Sequence, residues 1–212
     1  MTPQALLARP DDHRGLLSTD VEGGAQFYSP KEQKVALIYR SRFTVDSAKL
    51  VLTDQSFTFA GRPPMEVKLS FQENGRPRTL VVIVAHFKAM ANLDGWTRRG
   101  NAARALKTYL DTTYPTRWVL VVGDLNDDLD VSTYRGHESP FKELMQSPDY
   151  QFTTLPLTLA GTPTTVGFPN TIDHHLATNE LAARYVEGSA HVVQLEDYVC
   201  DYGTTTSDHY PV

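Results

Sequence analysis

The chain has 212 residues, of which 41% are hydrophobic and 21% are charged, a composition typical of a globular protein that excludes collagen, long disordered segments and coiled coils. Its single cysteine, Cys200, excludes an intramolecular disulfide and a cysteine-based zinc or iron–sulfur site. The net charge of −5 argues against nucleic-acid binding through a broad basic surface, but it is compatible with an enzyme that holds a divalent cation through carboxylates.

The first 30 residues are the least patterned part of the chain. Residues 5–17 indicate at most one short helical turn, and Gly23-Gly24 indicates a loop. The apolar run at residues 5–8 is too short for a signal peptide, so the default localisation is cytoplasmic, or secreted if a native amino terminus was removed. Without an apolar stretch of about 18 residues, no membrane partner is expected. We predict one domain over residues 1–212, with residues 1–30 as an atypical leader.

Strand signals begin after residue 30. The apolar run at residues 34–39 predicts a strand covered on both faces, whereas the alternation at residues 65–71 predicts a half-buried strand that turns at Asn74-Gly75. Buried strands at 79–85 and 117–122 flank a helix predicted from about residue 96 to 112, which indicates a βαβ unit. Further strands are predicted at 171–177 and 190–195. This pattern predicts an α+β fold, a two-sheet β-sandwich flanked by helices.

Polar residues follow or interrupt the apolar strands at several points. Such groups converge at one edge when their strands are neighbours, which is typical of an active site. The residues concerned are His86, Asp124, Asn126, Asp173, Asp208 and His209.

Asp124 and Asn126 are two residues apart, so in an extended conformation their side chains point the same way. Their oxygens suit a hard cation such as Mg²⁺. In the alternative interpretation, Asp124 caps a turn and Asn126 adopts a left-handed conformation. Asp127 and Asp128, together with Asp130, are predicted to form a solvated loop.

Asp208 and His209 pair an acid with an imidazole, and Asp173 is a second carboxylate that could orient the ring. The alternative is a satisfied polar cluster near the end of the chain. Ser207 is a weak candidate for a nucleophile because no Gly-x-Ser-x-Gly motif surrounds it.

Four motifs, VVIVAHFKAM, VLVVGDLNDD, TIDHHLAT and SDHYPV, occur in this order. Together they resemble the endonuclease/exonuclease/phosphatase superfamily, and most closely its deoxyribonuclease I type. The resemblance extends from about residue 31 to residue 212. Two further segments, KEQKVALIYR and TFAGRPPMEVKL, are similar to those that carry an acidic partner of the first catalytic histidine and a phosphate-contacting arginine.

The resemblance implies a role for each matching residue. The catalytic residues would be His86, Asp124, Asn126, Asp173 and His209. The metal ligands would be Asp124, Asn126, Asp208 and His209. Asp173 would pair with His209, and Glu32 would be the partner of His86. Arg62 would contact the phosphate, and Tyr39 and Arg40 would line the groove.

The implied activity is that of a Mg²⁺-dependent phosphodiesterase, with Mn²⁺ or Ca²⁺ as alternative ions, acting on DNA as a non-sequence-specific endonuclease. A phosphatase for lipid or sugar phosphates is the alternative within the same fold. The superfamily begins with strands that carry an asparagine and a Gln-Glu metal ligand, and residues 1–30 match neither, so a fold truncated at its amino terminus is expected. A further alternative is therefore a catalytically weak DNA- or phosphate-binding relative, including one that forms a homodimer through exposed sheet edges.

The candidate phosphate contacts are few and scattered, which predicts modest DNA affinity that salt weakens strongly. Two of them, Arg98 and Arg99, fall at the start of the long helix and could equally be solvated there. The candidates are Arg40, Arg62, Lys88, Arg98 and Arg99.

Overall fold

The computed structural model describes residues 12–28, 31 and 33–212. The strands are β1 (His13–Leu17), β2 (Ala36–Arg40), β3 (Thr44–Leu50), β4 (Met65–Glu73), β5 (Arg76–His86), β6 (Val119–Asp124), β7 (Tyr150–Phe152) and β8 (Asp173–Thr178). The helices are α1 (Gly24–Phe27), α2 (Leu93–Thr113), α3 (Lys142–Gln146), α4 (Leu155–Leu159), α5 (Asn179–Ala182) and α6 (Tyr202–Thr205). In the described ranges, no helix is both long enough and apolar enough to span a bilayer.

The larger sheet has six strands in the order β3-β4-β5-β6-β8-β7. β5 and β6 are parallel and are joined by α2, which confirms the predicted βαβ unit, while the other neighbours are antiparallel. Helix α2 begins three residues before the predicted position because Asn92 caps it, its side-chain oxygen accepting a hydrogen bond from the amide of Gly95 at 2.8 Å.

Two apolar cores lie on opposite faces of the six-stranded sheet. On one face, Leu106 and Leu110 of α2 pack against strand residues such as Ile83. On the other face, β1 and β2 form a two-stranded antiparallel sheet whose Leu16 and Leu37 cover the second core. Each fully buried leucine contributes about 1.5–3 kcal/mol to folding. This arrangement confirms the predicted α+β fold with two sheets and flanking helices.

The predicted turn at Asn74-Gly75 joins β4 to β5. Glu73 and Arg76 are register partners on either side of it, so the turn contains two residues. Asn74 and Gly75 have φ angles of 51° and 73°, the left-handed conformations that a tight hairpin of this handedness requires. The Asn-Gly pair therefore determines the register of the two longest strands.

The predicted burial is wrong for two strands. The apolar run after residue 33 forms β2, which belongs to the smaller sheet, and Ile38 is 73% exposed. β4 was expected to be half-buried, but both of its faces are covered near its start. Glu66 is 1% exposed because Tyr109 of α2 lies over it and donates a hydrogen bond to its carboxylate at 2.6 Å. An apolar or alternating run does not reveal which layers will cover a strand.

Differences from the predicted elements also occur near both ends of the chain. The residues expected to form a leader include β1, and Glu22 forms a parallel bridge with Lys49 of β3. Residues 1–11 lie outside the described ranges. The predicted strand at 190–195 is wrong, because this segment is a loop in which the amide of Val193 donates to the carbonyl of Pro211 at 2.8 Å.

Candidate active site

Three adjacent strands bring the predicted polar residues into one row. His86 ends β5 and Asp124 ends β6, and these two residues are register partners. Asp173 begins β8, which runs antiparallel to β6, so it pairs with Asp124 at the same edge of the sheet. The strand topology therefore assembles groups that lie far apart in the sequence.

A sharp turn after β6 positions Asp124. Gly123 has a φ angle of 137°, and a Cβ atom there would lie 2.0 Å from the carbonyl oxygen of Ala85, so only glycine fits. Asn126 has a φ angle of 59°, which shows that the predicted extended conformation is wrong. Its backbone and side-chain amides donate hydrogen bonds to the two carboxylate oxygens of Asp124 at 2.8 and 2.9 Å, and its side chain also donates to the carbonyl of Phe87 at 3.2 Å. This geometry agrees with the turn-capping interpretation and holds the carboxylate rigidly.

His209 forms a pair with Asp173. The Nδ1 atom of His209 lies 3.1 and 2.9 Å from the two carboxylate oxygens of Asp173, and its Nε2 atom lies 3.8 Å from Oδ2 of Asp124. The hydrogen bond that the ring donates to the Asp173 carboxylate outweighs partial burial and raises the pKa of His209 to about 9. The Ser207 hydroxyl accepts a hydrogen bond from the backbone amide of His209 at 3.0 Å, a local role in the turn.

His86 lies on the other side of Asp124. Its Nε2 atom is 3.4 Å from Oδ2 of Asp124. Burial, followed by the positive charges of Arg62 and His209, lowers the pKa of His86 to about 4. The two imidazoles therefore differ, His86 being neutral and His209 protonated near neutral pH. Glu32, the predicted partner of His86, lies outside the described residues.

Asp124 lies between the two histidines in a buried position. Burial, followed by the negative charge of Asp173, raises its pKa to about 7, although His209 and Arg62 act in the opposite direction. Nearby positive charge is thus too weak to offset the cost of burying this carboxylate. A perturbed acid of this kind beside two imidazoles is typical of a catalytic site.

Arg62, one of the three predicted substrate-binding residues, is joined to this cluster through the carbonyl of Phe87, which also accepts a hydrogen bond from Asn126. Arg62 is 9% exposed, and its guanidinium donates to the side chain of Gln33 at 2.5 Å and to the carbonyl of Phe87 at 2.9 Å. The other two, Tyr39 and Arg40, end β2 in the smaller sheet. The sequence did not predict that Gln33 contacts Arg62, because a glutamine at this position belongs to no recognisable motif.

The oxygen donors beside the cluster of His86, Asp124 and His209 fit a hard cation that takes few protein ligands. Asn126, Asp208 and His209 line a cleft of about 310 Å³, and Asp124 adjoins it through its hydrogen bonds with Asn126. Within the described ranges, no group of three or more His, Cys, Asp or Glu side chains could hold a metal. Mg²⁺, however, usually takes one or two carboxylates and keeps several waters. The predicted set of Asp124, Asn126, Asp208 and His209 therefore stays a prediction.

A buried ion pair behind the cleft was missed. Arg99 and Asp127 are both fully buried, and Nε of Arg99 lies 2.8 Å from the carboxylate of Asp127. The guanidinium also donates to the carbonyls of Lys88 and Met90, and Asp127 accepts from the amide of Thr133 at 2.6 Å. The expectations that Asp127 is solvated and that Arg99 contacts phosphate or solvent are both wrong. The pair instead connects two loops that border the cleft.

The neighbouring carboxylate supports the strand that carries Asp173. Asp128 is 6% exposed and accepts hydrogen bonds from the side chain of Asn170 at 3.1 Å and from the amide of Thr171 at 3.2 Å. His174 is fully buried, between the hydroxyl of Thr154 and the carbonyl of Asp127. In the sequence, an Asp-rich run after a turn gives no signal that distinguishes such a buried network from a solvated loop.

The pairing of His209 predicts a pH dependence of stability in the metal-free protein. Because folding raises the pKa of His209 from 6.5 to about 9, its contribution is complete below pH 6.5 and is lost as the pH rises through 9. In EDTA, denaturant titrations are expected to show that the free energy of unfolding falls by about 1 kcal/mol between pH 6.5 and 9.5. The fall is smaller than the full pKa shift would give, because solvent screens the partly exposed ring. His209→Gln should remove this loss, whereas the exposed control His191→Gln should retain it. If the unfolding free energy depended equally on pH in both variants, the loss could not be assigned to His209.

Comparisons with known proteins identify the family and the fold. Residues 8–209 match the sequence model of the Endonuclease/Exonuclease/phosphatase family. A search of curated proteins found no match. Among solved structures, a humanised D. rerio TDP2 matches with a TM-score of 0.61 and 14% identity, covering 98% of this chain and 77% of that one. A D. rerio TDP2 complexed with a single-strand DNA product matches with a TM-score of 0.60 and 15% identity. The match covers 99% of this chain and 80% of that one.

A third structure, an endonuclease/exonuclease/phosphatase from Beutenbergia cavernae, has a TM-score of 0.60 and 15% identity, with 98% of this chain and 54% of that chain covered. At these identities the structural matches show the fold alone, and this fold is deoxyribonuclease I-like. Members of the matching family are generally hydrolases of phosphoester bonds and generally use divalent metals. Because the family match covers nearly the whole sequence, the chain belongs to the Endonuclease/Exonuclease/phosphatase family.

Proposed function

We propose that the chain is a DNA endonuclease that hydrolyses phosphodiester bonds without sequence preference. The observation that carries this proposal is the position of the Asp124 carboxylate, 3.4 Å from His86 and 3.8 Å from His209. A proton acceptor flanked by two hydrogen-bonding imidazoles suits the attack of water on a phosphate. The fold is shared with a D. rerio TDP2 that was crystallised with a single-strand DNA product, which favours DNA among phosphoester substrates.

In this mechanism Asp124 orients the attacking water and takes its proton. Asn126 donates to both oxygens of the carboxylate, so the acceptor is held in one orientation before substrate binds. Preorganisation of this kind avoids rearrangement during the reaction. The glycine before Asp124 allows the close approach to β5 that places this carboxylate beside His86.

The two histidines act as donors to the phosphate. Asp173 holds the Nδ1 side of His209, which leaves Nε2 to donate a hydrogen bond to a phosphoryl or leaving oxygen. His86 donates from its neutral ring. Arg62 adds a positive charge, and its guanidinium is already anchored on the carbonyl of Phe87. Fixed donors and charges of this kind stabilise the negative charge that develops on the phosphate.

We propose Mg²⁺ as the divalent metal, with Mn²⁺ or Ca²⁺ as alternatives, held by Asp124, Asn126 and Asp208 of the predicted set, while His209, the fourth member, serves as a donor to the phosphate. These residues offer carboxylate and amide oxygens, the donors that hard cations prefer. When bound, such an ion supplies positive charge towards the phosphoryl oxygens. It would also offset the burial of Asp124, whose raised pKa indicates a shortage of positive charge nearby.

The proposal is tested with three substrates at matched ionic strength, in Mg²⁺ and in EDTA. We expect plasmid DNA to be nicked and bis(p-nitrophenyl) phosphate to be hydrolysed in Mg²⁺, with both activities lost in EDTA and an inositol phosphate left intact. Release of phosphate from the inositol phosphate without plasmid nicking would support the phosphatase alternative. DNA binding without hydrolysis of any substrate would identify a catalytically weak relative.

A further inference from the structure

An exposed aromatic ring lies on the loop that also carries Arg62, and Arg98 holds it in place. Phe57, on the loop between β3 and β4, is 75% exposed. The guanidinium carbon of Arg98 lies 4.2 Å from the centre of its ring, and Arg98 also donates a hydrogen bond to the carbonyl of Phe57. Arg98 is itself held by Asp94, at 3.4 Å, and its side chain is only 14% exposed. One face of the ring is therefore covered by a cation while most of the residue faces solvent.

The loop that carries Phe57 is tied to the catalytic residues. Phe59 is fully buried and packs edge-on against Phe87, with ring centres 5.3 Å apart. The carbonyl of Phe87 accepts hydrogen bonds from Arg62, on the same loop as Phe57, and from Asn126. The ring of Phe57 is thus placed through the same contacts that position the candidate phosphate-binding arginine.

Positive charge and exposed apolar side chains occur in the same part of the fold as the ring. Arg98 supplies positive charge against the ring, and Arg62 follows on the same loop. Met90, which lines the cleft, and Leu93, which begins α2, are 62% and 58% exposed. A nucleic-acid strand offers a complementary pattern, because a negative backbone alternates with flat bases. In single strands the bases are free to stack on aromatic side chains, whereas in a duplex they are already stacked and paired.

We propose that Phe57, backed by Arg98, is a stacking platform for one base of single-stranded DNA bound across the candidate active site. This proposal rests on the proposed DNA hydrolysis and names the strand form that the site accepts. Stacking contributes most of the affinity at this position, and Arg62 is the candidate contact for a backbone phosphate. The chain accordingly binds an unpaired strand more tightly than a duplex.

The test measures binding of fluorescent DNA by anisotropy, in Asp124→Asn protein so that the DNA stays intact. Phe57→Ala is expected to weaken binding of a thymidine octamer about 5- to 100-fold. Phe57→Trp should keep the affinity, because it retains an aromatic face. An octamer of abasic residues should bind equally, within about 2-fold, with and without Phe57→Ala, since it has no base to stack. The control Leu159→Ala removes an apolar residue that is 70% exposed on α4 and should not alter binding.

Equal loss of affinity for the thymidine and abasic octamers would overturn the proposal, as would unchanged affinity in Phe57→Ala. A dimer, detected by sedimentation, that dissociates in Phe57→Ala would also overturn it and would assign the ring to a second copy of the chain. Phe57-dependent binding of the thymidine octamer supports the platform even if the unsubstituted protein cleaves no DNA. That result would reject the proposed DNA hydrolysis but support Phe57 as a base-stacking site.

Discussion

Asp124→Asn is expected to lower kcat for plasmid nicking by about 1,000-fold, the range associated with loss of a positioned proton acceptor. The amide is nearly the same size as the carboxylate and can still accept a hydrogen bond from Asn126, so the turn after β6 should persist. It cannot take a proton from water, and it is a poorer ligand for a cation. Nicking rates in Mg²⁺ measure the effect, and near-ultraviolet circular dichroism checks the fold.

Asp130→Asn is the matched control for this substitution. Asp130 lies in the same acidic segment but is exposed, and its carboxylate accepts a hydrogen bond from the amide of Val131 at 2.5 Å. Its replacement removes one negative charge without touching the strand-end cluster. We expect the control to nick DNA within about 2-fold of the unsubstituted rate, since surface changes rarely have larger effects. An Asp124→Asn protein within about 10-fold of that rate would exclude Asp124 as the proton acceptor.

The second large effect is expected for Arg99→Met, which should lower the free energy of unfolding by about 3–5 kcal/mol. The substitution leaves the fully buried carboxylate of Asp127 without its cation, and breaking a buried pair from one side costs about that much. It also removes the donors that hold the carbonyls of Lys88 and Met90. Urea titration of the purified protein measures the change.

Arg104→Met, on the same helix, provides the comparison. The side chain of Arg104 is 55% exposed and lies 3.8 Å from Glu143, so its loss should cost at most about 1 kcal/mol. Met90 and Thr133 border the cleft, and we therefore expect Arg99→Met to raise KM for DNA as well. Equal stability of the two variants would show that the Arg99–Asp127 pair contributes nothing to the fold.

The strand-end motifs were predictable because sequence order and topology coincide there. His86 and Asp124 each follow a continuous apolar run, and a helix of suitable length lies between the runs, which requires parallel neighbours with both ends at one edge. The Asn74-Gly75 turn was equally predictable, since its left-handed conformations depend on those two residues alone. Local chemistry determines such features, and they need no knowledge of distant contacts.

The buried polar network could not be predicted in the same way. Asp127 and Asp130 belong to one acidic run, yet Asp127 is fully buried against Arg99 while Asp130 is exposed. Their difference arises from the packing of α2 against the loop after β6, a contact between segments 28 residues apart. Ile38 shows the same limitation, because an apolar run does not state how many layers will cover it.

The family, the βαβ unit and the polar residues at the strand ends could be predicted from the amino-acid sequence, because each depends on short motifs and local periodicity. The fold is needed to show that Asp124 lies between two imidazoles of opposite pKa shift, that Arg99 is buried in an ion pair and that Phe57 is exposed. Burial and charge are set by which distant segments surround a side chain. A single sequence therefore identifies the chemical groups, and the fold decides their electrostatic and steric surroundings.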